Sequence, residues 1–279
     1  MFRSNQKSGF ACGRPAIAPA LASCALVAAA LLPLQKLSAA RLQQESQSAV
    51  RVSILLYHRF GPAANDAMTV RSATFRSQLD YLRQHGYPII PLRTLVSYLL
   101  GRGPAPGRGV VITADDGHES VFTEMLPIVR EYRVPVTLFI YPSAISNASY
   151  AMTWDQLAAL HHTSLFDIQS HTYWHPNFNA ERRRLSPAAY RAFVTMQLVK
   201  PRTVLREKLG IDADLLAWPF GIYDDELIAM ARESGYMAGF TLERRLVTPR
   251  DQIMALPRLL ISDSASGRAF ASMLPQEPP

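Results

Sequence analysis

Two carboxylates and two imidazoles stand out in this chain because their types and spacing suit metal chemistry. Asp115 and Asp116 are adjacent in the run Thr-Ala-Asp-Asp-Gly, and His171 and His175 lie four residues apart in Ser-His-Thr-Tyr-Trp-His-Pro. Two imidazoles and one carboxylate can hold a divalent ion and leave a coordination position open for water. The other carboxylate is then free to act as a base, so the four side chains predict metal-assisted hydrolysis.

Each pair also has a plainer interpretation. Alone, the Asp-Asp-Gly run is more typical of a strand-to-helix turn with a capping carboxylate, and the histidines fit exposed or capping residues. On a helical turn, however, His171 and His175 would point the same way and reach one ion. Adjacent aspartates leave the backbone in different directions, so one can ligate while the other bonds to the water. Taken together, the four residues favour metal binding.

Apolar runs that alternate with helical patterns must position these residues. The expected strands are Val52–Tyr57, Ile89–Ile90, Val110–Thr113, Val136–Ile140, Phe166–Ser170 and Leu215–Trp218. The longest expected helix is Pro187–Leu209, with a break near Pro201. This alternation favours a parallel sheet.

Polar groups recur where successive predicted strands end, at His58, Asp115-Asp116, His171 and Phe220-Gly221. The carboxyl ends of the strands carry the active site in a β/α barrel. An open doubly wound sheet would gather the groups similarly. About seven strands in some 220 residues fit a small or incomplete barrel better.

The first 40 residues differ from the rest and predict a secretory signal. Three basic residues precede an Ala- and Leu-rich run over 16–34, and Ser38-Ala39-Ala40 offers a signal-peptidase site. An uncleaved membrane anchor is the alternative, because the run approaches the length of a bilayer span, although prolines interrupt it. A lipoprotein signal with Cys24 lipidated is a third interpretation.

Residues 41–50 read as a polar linker, which leaves 51–279 as the catalytic domain. The leader holds four basic residues and no acidic ones, so its removal lowers the net charge from +7 to +3. That small excess is not the dense basic patch of a nucleic-acid-binding protein. Both cysteines, Cys12 and Cys24, lie in the leader, so the remaining chain offers no thiol ligand and no disulfide.

Three motifs together resemble the polysaccharide deacetylase family, also known as the NodB-homology domain or carbohydrate esterase family four. Thr113–Gly117 is similar to the family's Thr-Phe-Asp-Asp-Gly, with Ala114 replacing the aromatic residue, and His171–His175 is similar to its His-Ser/Thr-x-x-His. Ala217–Gly221 resembles its third motif. The likeness spans roughly residues 50–262 and implies a distorted (β/α) barrel that hydrolyses N-acetyl groups on an amino sugar.

The resemblance also implies a role for each residue. Asp116, His171 and His175 would bind the metal, and Asp115 would be the general base. The backbone N–H of Phe220 would help the metal to stabilise the tetrahedral oxyanion. Such a metal polarises the carbonyl and acidifies the bound water. Zinc suits two histidines and one carboxylate, but so do cobalt, nickel and iron.

Two departures from the family pattern concern proton transfer. The arginine that usually precedes the third motif and orients the base is absent, since Ala217 and Trp218 occupy that neighbourhood. No histidine follows His175, so the usual late general acid is also missing. The poly-N-acetylglucosamine deacetylase branch is similar in both respects and has a histidine after the first strand. His58 is therefore the expected acid, with a purely structural role as the competing interpretation and His118 as the second choice.

Four further residues are candidates for substrate binding. Tyr141, Trp174 and Trp218 lie beside the ends of predicted strands and could stack on sugar rings, although ordinary packing explains each at least as well. Arg258 could instead orient Asp115, with a surface salt bridge as the competing explanation.

The resulting hypothesis is an exported, metal-dependent deacetylase acting on an N-acetylglucosamine polymer. An exopolysaccharide is favoured as the substrate and peptidoglycan comes second; no nucleic acid is expected, and a membrane only through the N-terminal segment. The alternatives are a non-catalytic carbohydrate-binding protein on a deacetylase scaffold and an esterase that removes O-acetyl groups. The expected location is the periplasm or cell envelope.

Overall fold

The computed structural model describes residues 50–276, and the predicted leader and all of the linker except Val50 lie outside them. The strands are β1 (Arg51–Tyr57), β2 (Arg59–Gly61), β3 (Thr69–Arg71), β4 (Arg108–Asp115), β5 (Val136–Ile140), β6 (Phe166–Ser170), β7 (Leu215–Ala217), β8 (Ala238–Phe240) and β9 (Leu259–Leu260). Seven of them form one parallel sheet in the order β8-β7-β6-β5-β4-β1-β9, while β2 pairs with β3.

Helices connect most of these strands. They are α1 (Ser72–Gln84), α2 (Leu92–Leu99), α3 (Leu126–Tyr132), α4 (Trp154–His162), α5 (Phe178–Arg184), α6 (Pro187–Leu209), α7 (Asp225–Glu233) and α8 (Gly267–Ala271). A π-helical turn, Val121–Met125, leads into α3, and a single 3-10 turn, Pro219–Gly221, follows β7. Within residues 50–276, no helix is both long enough and apolar enough to span a bilayer.

The sheet is curled and open, which confirms the predicted distorted, incomplete (β/α) barrel. In the described part of the chain, the end strands β8 and β9 do not pair with each other. The segment before β9 lies against β8 instead, where the Gly239 N–H donates to Ile253 O at 3.0 Å and the Leu256 N–H donates to Gly239 O at 2.8 Å. This segment carries Arg258 into the interior, where it is fully buried.

The central strands end level with one another. In the parallel register, Tyr57 pairs with Ala114 and Asp115 with Phe139, so the carboxyl ends of β1, β4 and β5 meet at one rim. Strand β4 is buried from Gly109 to Asp115, as a parallel strand covered on both faces should be. The apolar run that buries this strand therefore also fixes where its two aspartates emerge.

Two local expectations were wrong, and two short strands were missed. Ile89 makes only an isolated bridge to Val110 and is not part of a strand. Helix α6 continues through Pro201 without a break, because Leu198 and Leu205 on its buried face anchor the helix on either side of the missing hydrogen bond. The short strands β8 and β9 were not expected individually.

Candidate active site

The rim formed by the carboxyl ends of the strands gathers the predicted site residues. His58 follows β1, Asp115 ends β4, and His171 follows β6. Asp116 comes one residue after β4, and the 3-10 turn that contains Phe220 follows β7. The parallel arrangement of the sheet thus brings together residues that are far apart in the sequence.

Asp116, His171 and His175 offer three ligand atoms that lie within 4.8 Å of one another. Asp116 Oδ1 is 3.7 Å from His171 Nε2 and 3.9 Å from His175 Nε2. Ligand atoms about 2.1 Å from a tetrahedral ion lie about 3.4 Å from one another. Both Asp116 distances lie within about half an ångström of that value, so these donors suit a small divalent cation.

The His171 ring is held in the tautomer that a metal ligand needs. Its Nδ1 lies 2.8 Å from the backbone oxygen of Ala217. Because a carbonyl oxygen only accepts, Nδ1 carries the proton and Nε2 presents its lone pair to the site. Burial lowers the pKa of His171 to about 3, so the imidazole is neutral near pH 7.

The two histidines meet through a loop, and the expected helical turn was wrong. Thr172 and His175 have φ angles of 65° and 61°, in the left-handed region. Among the described residues, seven non-glycine residues have positive φ, and Asp116 (74°) and Phe220 (56°) are two of the others. Four of the seven thus lie at this rim. Such conformations cost about 1–3 kcal/mol each and cluster where function requires them.

Asp115 forms a buried ion pair with Arg258. The guanidinium donates from Nη1 to Asp115 Oδ1 at 2.8 Å and from Nη2 to Oδ2 at 2.7 Å, while its Nε donates to the backbone oxygen of Thr241 at 3.1 Å. Burial alone would raise the pKa of Asp115, but the charge of Arg258 and its hydrogen bonds hold that pKa below its usual value. Asp115 is therefore ionised near neutral pH.

The neighbouring carboxylate has a different environment. Burial and the charge of Asp115 raise the pKa of Asp116, with only partial compensation from His58 and from arginines. In the described chain, no arginine forms an ion pair with Asp116, which faces His171 and His175 instead. A carboxylate without an ion-pair partner, beside two neutral imidazoles, is a donor set that attracts a cation.

His58 lies on the same rim beside Asp115. The register of β1 with β4 makes them neighbours, and His58 is 8% exposed. Its Nδ1 is buried without a hydrogen-bond partner among the described residues. Burial lowers the pKa of His58, while the negative charges of Asp115 and Asp116 oppose that shift. His118, by contrast, uses its Nδ1 on Ser120.

The backbone of Phe220 leaves a donor free. Within residues 50–276, the Phe220 N–H meets no acceptor of the chain, whereas the Gly221 N–H donates to Trp218 O at 2.9 Å and the Ile222 N–H to Pro219 O at 3.0 Å. The Phe220 ring is 56% exposed and lies 4.5 Å from the His175 ring, between centroids. A free N–H at this position can donate to a developing negative charge.

Comparisons with known proteins agree with this geometry. A family model described as polysaccharide deacetylase matches residues 102–239. The chain is 26% identical over 201 residues to a Poly-beta-1,6-N-acetyl-D-glucosamine N-deacetylase of Staphylococcus aureus (strain MRSA252), covering 71% of this chain and 69% of that one. A protein of the same name from Escherichia coli (strain K12) is 25% identical over 241 residues, 74% of this chain and 36% of that one.

Residues 102–239 form a polysaccharide deacetylase domain.

Solved structures show the same fold. IcaB from Ammonifex degensii superposes with a TM-score of 0.71 at 25% identity, over 80% of this chain and 96% of that one. The Streptococcus pyogenes deacetylase PplD superposes with a TM-score of 0.72 at 20% identity, over 82% of this chain and all of that one, which shows the fold alone. The protein is thus a hydrolase of a metal-dependent family, with the Asp116, His171 and His175 cluster as its possible metal site.

Two of the four residues expected to touch the substrate of this deacetylase cannot do so. Trp218 is fully buried, and its indole N–H donates to Met254 O at 2.8 Å. Arg258 is also fully buried. It forms an ion pair with Asp115, in agreement with the expectation that it could orient this carboxylate. Trp174 is 46% exposed, and the Tyr141 ring lies 5.4 Å from the His175 ring, so these two remain candidates.

Two polar residues of this deacetylase site were missed in the sequence. Tyr150 is 40% exposed at the rim, and its hydroxyl bonds to that of Tyr141. Gln197 is fully buried on α6 and bonds to the loop between His171 and His175. The available signal for Gln197 was a polar residue on the apolar face of a helix, between Val194 and Leu198.

Proposed function

We propose that this deacetylase removes N-acetyl groups from an N-acetylglucosamine polymer, and that the polymer is an exopolysaccharide. The observation that carries the proposal is the different environment of two adjacent carboxylates. Each oxygen of Asp115 accepts one hydrogen bond from Arg258, whereas Asp116 faces two neutral imidazoles. That difference supports Asp115 as the proposed base and Asp116, His171 and His175 as the proposed metal ligands. The names of the bacterial relatives support the choice of glycan.

Zinc is the proposed ion, because two imidazoles and one carboxylate form a common catalytic zinc site. Cobalt, nickel and iron suit the same donors. When bound, the ion would polarise the acetyl carbonyl and acidify a water molecule. The acceptor of the water proton is Asp115, which Arg258 holds in its ionised form.

The remaining steps fall to His58 and Phe220. As the water oxygen bonds to the carbonyl carbon, the Phe220 N–H donates to the developing oxyanion, a contribution of about 3 kcal/mol when such a donor is preorganised. As the C–N bond breaks, the leaving amine must take up a proton, and His58 is the proposed donor. His58 Nδ1 is buried and has no hydrogen-bond partner in the described chain. Binding of the metal ion and the substrate would therefore determine whether the His58 ring is protonated.

One observation favours a second candidate. Burial lowers the pKa of His58, so less of the protonated imidazole that an amide leaving group needs is present near neutral pH. An ester needs less help, since an alkoxide is a better leaving group than an amide anion. Hydrolysis of O-acetyl groups on a glycan is therefore the alternative activity.

Export of the enzyme is also part of the proposal. Residues 1–40 would direct the chain out of the cytoplasm as a cleaved signal or as an anchor, and residues 51–279 would form the catalytic domain. Its support is the basic start, the apolar run and the small residues that follow. An extracytoplasmic polymer then becomes accessible as the substrate.

The test is acetate release by zinc-loaded protein. Oligomers of β-1,6-linked N-acetylglucosamine should release acetate faster than peptidoglycan or an O-acetylated glycan. Asp115→Asn should lower the rate by about 10²–10⁴-fold while zinc stays bound, whereas Asp155→Asn, on an exposed first-turn residue of α4, should leave it unchanged. Absence of release from every glycan, or an active Asp115→Asn, would refute the proposal.

A further inference from the structure

A buried glutamine holds the loop between the two histidines. The Gln197 side-chain oxygen accepts from the backbone N–H of Tyr173 at 3.2 Å and from that of Trp174 at 3.0 Å. Gln197 is fully buried on α6, so water does not compete for these donors. Its oxygen thus binds two consecutive N–H groups that lie between His171 and His175.

The loop depends on side-chain acceptors because it has no regular secondary structure. The Thr172 N–H donates to Ser170 Oγ and the His175 N–H donates to Thr172 Oγ1, both at 3.2 Å. Together with the two N–H groups held by Gln197, every backbone donor from 172 to 175 therefore ends on a side-chain oxygen. Gln197 provides the only acceptor for this loop that comes from a helix among the described residues.

The backbone of this loop is unfavourable without such support. Thr172 and His175 both adopt left-handed φ angles, which residues with a Cβ avoid. If the N–H groups of Tyr173 and Trp174 lost their acceptor, other conformations of the loop would become lower in free energy than the observed one. His175 would then leave the position in which its Nε2 is 3.9 Å from Asp116 Oδ1.

The useful atom of Gln197 is its oxygen and not its amide nitrogen. Its Nε2 has a single contact in the described chain, with Met196 Sδ at 3.8 Å. A residue chosen only for packing on this face of α6 would be apolar, as Val194, Leu198 and Leu205 are. The polar side chain is therefore explained by the two N–H groups that it accepts.

We propose that Gln197 is a positioning residue that sets the affinity of the site for its metal ion by holding the 171–175 loop in the ligating conformation. This role rests on the metal site proposed above, but it makes no use of the hydrolytic activity. Partners one step removed from metal ligands commonly change metal affinity by about 10–100-fold when mutated.

The test compares three variants of the full chain by zinc titration against a chromophoric chelator and by urea unfolding of the metal-free protein. Gln197→Met keeps the length of the side chain but removes the acceptor, and we expect its Kd for zinc to rise by about 10–100-fold. Gln197→Glu keeps an acceptor oxygen for both N–H groups and should bind zinc nearly as tightly as the wild type. Leu205→Ala, in the core on the same helix, should lower stability and leave the Kd unchanged.

Two results for the Gln197 variants would overturn the proposal. One is a wild-type Kd in Gln197→Met, and the other is equal weakening in Gln197→Glu and Gln197→Met, because then the acceptor is not what matters. A Kd that tracks stability across all three variants, Leu205→Ala included, would equally refute a positioning role. Acetate release is measured separately. If the wild type binds zinc but releases no acetate, the proposed function is refuted. The role of Gln197 is then still decided by the zinc titration alone.

Discussion

Replacement of Arg258 by methionine should remove a large part of the free energy of unfolding, because it leaves the buried carboxylate of Asp115 without its ion-pair partner. Arg258 is fully buried and Asp115 is 1% exposed. Both oxygens of Asp115 accept from the guanidinium, at 2.8 and 2.7 Å. Loss of one partner of a buried pair typically costs about 3–5 kcal/mol, since the other charge stays desolvated. That is a substantial part of the roughly 5–15 kcal/mol that stabilises a domain.

Urea unfolding of the metal-free protein measures this cost, and a second arginine provides the control. Arg93 also pairs with two carboxylates, at 2.8 Å from Asp167 and 2.9 Å from Asp214, but its side chain is 42% exposed. Because solvent screens exposed pairs, Arg93→Met should cost only about 0–1 kcal/mol. The two variants remove the same side chain and differ mainly in burial.

A double-mutant cycle separates the ion pair from ordinary packing. Asp115→Asn alone leaves the buried Arg258 cation uncompensated, so it too should destabilise the protein. The variant that combines Asp115→Asn with Arg258→Met removes both charges and should lose less than the sum of the single costs, by about 1–3 kcal/mol. Costs that simply add, or an Arg258→Met no more harmful than Arg93→Met, would show that Asp115 does not depend on this partner.

Three further outcomes are expected. Removal of zinc by a chelator should abolish acetate release and lower the Tm. Zinc at a hundred times its Kd should raise the free energy of unfolding by about 2.7 kcal/mol. A Tm that does not change with zinc would contradict this. His58→Ala should slow amide hydrolysis by about 10²–10⁴-fold but leave an activated acetyl ester nearly unaffected; equal losses in kcat/KM would count against His58 as the acid. Gly239→Ala should destabilise by about 3 kcal/mol, because its Cβ would lie 2.3 Å from Met254 O, whereas Gly103→Ala meets nothing nearer than 3.6 Å and should be neutral in urea unfolding.

The long strands could be predicted because burial on both faces makes them continuous apolar runs. Strands β1, β4, β5 and β6 each have five to eight residues, and their positions follow from such runs. Strand β8 has three residues and β9 has two, which is too short for any pattern to emerge. Their place depends on the segment that packs against Gly239, a contact set by the whole fold.

The site was predictable in composition but not in conformation. Residue types and motif spacing indicated Asp116, His171 and His175, which the structure brings together. The residue types of Thr172 and His175 do not by themselves specify a left-handed backbone. A helical turn was therefore expected where the structure has a loop. The partner of Asp115 lies 143 residues away in the chain, and only the fold shows that this arginine is buried beside it.

The order of the strands divides the chemistry of the enzyme between two flanks of one sheet. The candidate metal ligands follow β4 and β6, inside the stretch 102–239 that the family model matches. His58 and Arg258 lie outside that stretch, after β1 and just before β9, on the opposite side of β4. Mutation of the proposed acid can therefore change proton delivery, and with it the choice between amide and ester leaving groups, without replacing a candidate metal ligand. Relatives that share the cluster need not share the acid, and the flank formed by β1 and β9 is where their specificities are expected to diverge.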